Sequence, residues 1–418
     1  MTARAVRALL ALAVACAAAS LAAPPAAAQA APACPAVAPS AIVIEVSTGT
    51  VACARGADQR RSIASATKLM TALLVLERAE LSDVFTAARY YPPPIESQIG
   101  LEPGERMSVR DLMRGLLVES ANDAAVTLAE GVSGSRRAFV RAMNRRAAEL
   151  ELEDTRYANP IGLDEAGNYS SARDLVRLAT VLRTNGFFRT TVDRPSVNLT
   201  SGNRPRRFDN RNTLIDAYGW INGVKSGHTR QAGYVLVGSG RDERGVQLVA
   251  AVLGTASPAA RNAATLALLR DGFRAFQRIT ALERGDELAR VSIRYRRGAE
   301  LALVAGRTVR RVVPRGQRRD VTHRVVGEPD DVTGPIVAGQ AFGAVEILQR
   351  GKVVGRIPLV ADSSVPVADF EQKAKAWFTG PLPILLAFAV LAGTVMVGRQ
   401  LRRSLRDGRR AGDQARAA

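Results

Sequence analysis

Lysine is scarce in this chain. Only five of its 58 basic residues are lysine (Lys68, Lys225, Lys352, Lys373 and Lys375), and arginine supplies the rest. Histidine is scarcer still, with His228 and His323 alone. A serine hydroxyl is a poor nucleophile until a base takes its proton, and the usual base is histidine. With only two imidazoles in the chain, a lysine near a serine is worth asking about as an alternative base. No residues show metal-ligand spacing, so no metal and no cofactor is expected. Aromatic residues are only 5% of the chain and no nucleic-acid module is legible, so the formal charge of +19 is not read as a nucleic-acid footprint. It is read as attraction to an anionic envelope surface, with a compositional bias to arginine behind it. No internal repeat is visible, and 418 residues suffice for two or three domains.

Both ends carry apolar runs. Residues 1–30 have the layout of a secretory signal: Arg4 and Arg7, an apolar run over 8–23, then the small residues of Ala28-Gln29-Ala30. Ala13 stands where a lipoprotein signal ending at Cys16 wants leucine. Removal of the signal leaves Cys34 and Cys53. An even pair in an exported chain points to a disulfide, which would tie the mature N-terminus to the first hairpin; otherwise the two are unpaired thiols. Near the other end, residues 381–398 carry no charge, and Trp377 and Phe378 precede them. That run is long enough to cross a bilayer core of roughly 30 Å. The tail beyond is rich in arginine, which places it in the cytoplasm by the positive-inside rule.

Between these ends, 41–45 and 51–54 read as a hairpin around Ser47-Thr48-Gly49-Thr50. A largely buried helix follows from Ser62 to about Arg78, with Ser65 in its first turn. Residues 90–105 form a Pro/Gly-rich connection. Ser108-x-x-Asp111 has the form of a capping box and opens a helix. That helix breaks at Ser120-Ala121-Asn122-Asp123, where Asn122 or Asp123 can cap the next. Helices follow at 136–150 and 171–183, a turn at 159–163 and a polar loop at 201–212. Strands at 234–238 and 246–254 and a helix at 259–276 complete one α/β domain over 31–276, whose sheet uses both of its chain ends. From 277 to 362 short alternating strands predict a small all-β domain. A linker at 363–376, a membrane helix at 377–398 and a basic tail at 399–418 complete the expected order.

Three short motifs carry the chemistry. Lys68 lies three residues after Ser65, which puts both side chains on one helix face, roughly 5–6 Å apart at Cβ. Lysine can be tuned to lose its proton where arginine cannot. The second motif is Ser120-x-Asn122. Ser196-x-Asn198 and Ser201-x-Asn203 share the pattern, but only Ser120 lies at a helix break where a side chain can turn into a cleft. The third is Lys225-Ser226-Gly227, followed by His228.

In this order the motifs resemble the signature of penicillin-binding proteins and serine β-lactamases, above all the low-molecular-mass D-alanyl-D-alanine carboxypeptidases. The segments SATKLMTALLVLE, LLVESANDAAVTLAEG, YANPIGLDEAGNYSSARDL and GVKSGHTRQAGYVLVGSG look like family segments, and PIVAGQAFGAVEILQRGKVVGRIPLVA looks like the family's C-terminal domain. The resemblance implies an α/β (α+β) transpeptidase-like domain, the all-β domain and a C-terminal anchor. It implies peptidoglycan stem peptides ending in D-Ala-D-Ala as substrates and β-lactams as covalent inhibitors. It makes Ser65 the nucleophile, Lys68 the general base and Ser120 the proton relay. Asn122, Lys225, Ser226 and Gly227 would bind substrate, and the backbone N–H groups of Ser65 and His228 would form the oxyanion hole. The His228 imidazole either shapes the site or is a strand-end polar group. Ser226 stands where the family more often has threonine. A β-lactamase would need a water-activating group, for which Glu165-x-x-Asn168 is the nearest candidate. The same motifs would also serve a D,D-endopeptidase, or a non-catalytic membrane-anchored protein that binds muropeptide.

Overall fold

The computed structural model describes residues 31–35, 37–378 and 381–415. The expected signal peptide and the last three residues of the expected tail lie outside the described residues. The chain divides into two compact units, with the boundary between Gln277 and Arg278.

The first unit is built on a five-stranded antiparallel sheet. Strand β1 (Ser40–Glu45) is buried on both faces and β2 (Val51–Arg55) lies outside it. The turn between them is held by the Glu45 carboxylate, which accepts hydrogen bonds from the N–H and hydroxyl of both Ser47 and Thr48. Two small ladders follow: β3 (Val84–Thr86) with β4 (Arg106–Ser108), and β5 (Ser196–Leu199) with β6 (Arg206–Asp209). The chain then returns to the main sheet as β7 (Ile221–Thr229), β8 (Gly233–Arg241) and β9 (Gln247–Thr255), giving the order β2-β1-β9-β8-β7. Strands from both chain ends thus meet side by side, with Val43 opposite Ala250, and β7 is left as an edge.

The helices of this unit are α1 (Lys68–Arg78), α2 (Val109–Arg114), α3 (Asn122–Ser133), α4 (Arg136–Glu149), α5 (Ala172–Leu182), α6 (Gly186–Val192), α7 (Leu214–Ala217) and α8 (Pro258–Ala275). Side chains alternate across the sheet. Ile42, Ile44, Val235, Val237 and Val249 join one core with α1, α3 and α5. The opposite face meets α8, where Gly272 lets the helix close on Val43 and Leu248, and Gly238 admits Thr265. Ser257 caps α8 by accepting from the Ala260 N–H, with Pro258 at its first position.

Four local expectations are corrected. The segment from Ser62 does not open as an α-helix: Ala64–Thr67 is a 3₁₀ turn and α1 begins at Lys68. Neither Asn122 nor Asp123 caps α3, which starts at Asn122 with Ala121 as its cap residue. Asp123 instead accepts from the N–H groups of Ile99, Leu101 and Ala124. The polar stretch 201–212 contains β6, which pairs with β5 and whose Arg206 is buried in a two-bonded pair with Glu105. Part of the expected linker is helical, as α9 (Phe370–Phe378).

The second unit contains a six-stranded sheet of β11 (Glu287–Ile293), β12 (Glu300–Ala305), β14 (Val321–Val326), β15 (Asp331–Val332), β16 (Ala341–Gln349) and β17 (Lys352–Ala361), in the order β14-β16-β17-β12-β11-β15. Strands β10 (Phe276–Leu282) and β13 (Val309–Pro314) pair separately. Leu301, Leu303, Val345, Ile347, Ile357 and Leu359 supply its core. Helix α10 (Pro381–Ala415) includes a span, Pro383–Arg403, long and apolar enough to cross a membrane by length and composition.

Candidate active site

Ser65 sits in the 3₁₀ turn that feeds α1, just after Ala64, whose φ of 47° is unusual for a residue with a side chain. Lys68, at the start of α1, is fully buried. Its Nζ donates to Ser65 Oγ at 2.9 Å, to Asn122 Oδ1 at 2.5 Å and to the Ile161 carbonyl at 2.7 Å. All three acceptors are uncharged. Burial therefore pushes the Lys68 pKa well below the usual lysine range, helped by the positive charge of Lys225 and opposed by Glu96 and Asp123. A lysine that loses its proton this readily, within hydrogen-bond reach of a serine hydroxyl, can act as its general base.

The second motif follows an irregular turn. Gly115–Glu119 is a π-type turn that ends on Ser120 in the left-handed conformation, φ 69°. This break lets α3 restart in a new direction and carry Asn122 toward Lys68. Ser120 Oγ is buried and has no hydrogen-bond partner among the described residues. Asn122 donates from Nδ2 to Glu96 Oε2 at 2.6 Å, and Tyr90 donates its hydroxyl to the same oxygen at 2.5 Å.

The third motif lies on the edge strand β7. Lys225 is 1% exposed, and among the described residues its ammonium bonds only to the Ser226 carbonyl, at 2.9 Å. Burial lowers its pKa to about 7; Glu119 opposes this, while Arg211 and Arg261 add to it. Glu119 is itself paired with Arg211. Gly227 passes so close to Ser65 that a Cβ there would lie 2.9 Å from Ser65 N. His228 is exposed and its ring stacks on Tyr234 at 4.0 Å, without a hydrogen bond to Ser65 or Lys68.

The fold thus joins Ser65, Lys68 and Asn122 directly and lays Lys225, Ser226 and Gly227 on the strand beside them. The other Ser-x-Asn pairs bond elsewhere: Ser201 donates its hydroxyl to Asp111 and the Asn203 N–H goes to Glu105, while Ser196 and Asn198 lie in β5 opposite Asp209 and Arg207. Glu165 is exposed and accepts from Asn159, with no hydrogen bond to Ser65 or Lys68, while Asn168 donates to Thr67 Oγ1 at 3.5 Å. Cys34 and Cys53 are joined by a disulfide. Three participants have no sequence signal of their own. These are Glu96 in the connection before α2, the Ile161 carbonyl, and Gly162, where a Cβ would come 2.0 Å from Ala64 O. The turn at 159–163 is legible in the sequence, but its contact with Ala64 and Ser65 is not.

Comparison with known proteins shows the family. A family profile described as D-alanyl-D-alanine carboxypeptidase matches residues 26–257, and one described as the C-terminal domain of penicillin-binding protein 5 matches residues 276–367. The D-alanyl-D-alanine carboxypeptidase DacF of Bacillus subtilis is 31% identical over 339 residues, covering 80% of this chain and 87% of the relative. DacD of Escherichia coli is 33% identical over 341 residues, covering 78% and 87%. The crystal structure of penicillin-binding protein 5 from Haemophilus influenzae aligns with a TM-score of 0.57 and 28% identity, over 79% of this chain and 98% of that one. With these family matches over most of its length, and with its Ser65–Lys68 pair, its edge strand and its C-terminal all-β domain, the chain belongs to the D-alanyl-D-alanine carboxypeptidase family of serine peptidases.

Proposed function

We propose that this serine-type D-Ala-D-Ala carboxypeptidase removes the terminal D-Ala of peptidoglycan stem peptides through an acyl-enzyme on Ser65. The observation that carries the assignment is the 2.9 Å contact between Ser65 Oγ and the buried Lys68 Nζ. Neutral Lys68 takes the hydroxyl proton as Oγ attacks the carbonyl of the penultimate D-Ala. The tetrahedral oxyanion faces the N–H groups of Ser65 and His228, donors of a kind worth roughly 3–4 kcal/mol each. As the C–N bond breaks, Ser120 relays a proton to the departing D-Ala amine. Water then hydrolyses the ester and restores Ser65. Asn122 holds the substrate's amide. Lys225 and Ser226 receive the terminal carboxylate, and β7 offers its edge to the peptide backbone. β-Lactams acylate the same serine.

We place the catalytic unit outside the cytoplasmic membrane, exported by residues 1–30 and held by the apolar helix, with the arginine-rich tail inside. The all-β unit acts as a stalk or partner-binding module. Support comes from the sequence pattern of both ends and from the span at Pro383–Arg403.

The test uses the full chain in detergent and a peptide ending in D-Ala-D-Ala. Wild type is expected to release free D-Ala, and a β-lactam to leave a slowly decaying mass adduct on Ser65. Ser65→Ala is expected to lose both. Rapid β-lactam turnover without peptide cleavage would replace this reading with a β-lactamase. A folded protein giving neither product nor adduct would leave a binding protein.

A further inference from the structure

The Asn122 side chain has two edges and the site needs them placed one way round. Its oxygen lies 2.5 Å from Lys68 Nζ and its nitrogen 2.6 Å from Glu96 Oε2. A carboxylate only accepts hydrogen bonds, so the edge that faces Glu96 must be the NH₂. That turns the oxygen to Lys68 and leaves one N–H uncommitted. Glu96 is itself fixed by the Tyr90 hydroxyl, 2.5 Å away, and by its chain neighbour Ser97, whose carbonyl accepts from the Asn122 backbone N–H at 2.8 Å.

We propose that Glu96 is a positioning residue: it holds the Asn122 amide with its oxygen on Lys68 and one N–H free for the substrate's carbonyl. The inference rests on the roles given above to Lys68 and Asn122. Glu96 also adds a negative charge to the surroundings of Lys68. The charged groups that bear on Lys68 are Lys225 from β7, Asp123 from α3 and Glu96 from the loop before α2. Glu96 favours the protonated lysine, so removing its charge lets Lys68 become neutral at lower pH.

The experiment compares Glu96→Ala and Glu96→Gln with wild type, using D-Ala release from a D-Ala-D-Ala peptide across pH and a thermal melt of each protein. Glutamine keeps an acceptor for Asn122 but not the charge. Glu96→Gln is expected to hold kcat/KM within about threefold of wild type on the pH plateau, with its acid limb moved to lower pH. Glu96→Ala loses the acceptor and is expected to lower plateau kcat/KM by about ten- to thirtyfold, the scale of one lost hydrogen bond to a charged group. Tyr90→Phe removes only the outer contact and is expected to change it about twofold. Three results overturn the proposal: Glu96→Ala with wild-type kinetics, Glu96→Gln as impaired as Glu96→Ala, or an acid limb that stays in place in both variants. Wild type that turns nothing over fails the functional assignment as well. Active wild type beside an indifferent Glu96→Ala fails this inference alone.

Discussion

In the N-terminal unit two ammonium groups, Lys68 and Lys225, are almost wholly shielded from solvent and, among the described residues, bond only to uncharged oxygens. In the C-terminal unit Arg290, Arg294, Arg324 and Arg350 are each more than half exposed and each faces a carboxylate. A third arrangement, Arg206 with Glu105 in the N-terminal unit, buries both members of a pair. The contrast separates cations held in the charged state from cations whose proton is destabilised. A buried cation beside a carboxylate stays charged, and an exposed one is screened by water. A buried amine among neutral acceptors has its proton destabilised, and that condition suits a base. The chain meets it with lysine, its rarer basic side chain, and never with arginine in the motifs.

The sharpest way to break this contrast is Lys68→Arg. Arginine keeps its proton, so D-Ala release should fall by about a thousandfold, the scale of a lost general base. A variant within tenfold of wild type would mean that Lys68 is only a structural cation. A second test uses pH. In the free enzyme Lys225 is charged below about 7 and neutral above it. Affinity for a peptide ending in a free carboxylate should therefore fall as pH rises through that value, while a peptide ending in an amide should not show this limb. Binding measured for both peptides from about pH 5.5 to about 8.5, either side of that midpoint, checks the sign. Parallel curves would mean that Lys225 does not receive the carboxylate. The smallest effect belongs to the other unit. Arg324→Gln removes the pair with Glu346, and exposed pairs contribute less than about 1 kcal/mol. Its melting temperature and its activity should both stay close to wild type.

Much of this is legible from local spacing. Ser65 and Lys68 are one turn apart, and a three-residue offset needs no tertiary information. The hairpin of β1 and β2 and the strand content of the second unit follow from alternation and turn residues. What local spacing hides are positions whose partners lie far along the chain. Asn122 has the chemistry of a helix cap, yet Lys68, 54 residues earlier, takes its oxygen. Residues 201–212 look like a polar loop because they are rich in Arg and Asn, and neither the ladder of β6 with β5 nor the buried pair of Arg206 with Glu105, some hundred residues earlier, shows in local spacing. Glu96 lies in a Pro/Gly-rich connection with no periodicity to mark it. The strand Phe276–Leu282 is hidden because it follows α8 without a break.

Gly162 and Gly227 crowd Ala64 and Ser65, and a Cβ at either would meet the backbone there at 2.0 Å or 2.9 Å. Neither offers a functional group to the reaction. Their consequence is a limit on variation: any side chain placed at either position would have to displace the backbone that carries Ser65. The serine is thus guarded by two absences of side chain, and no catalogue of reactive groups would include them.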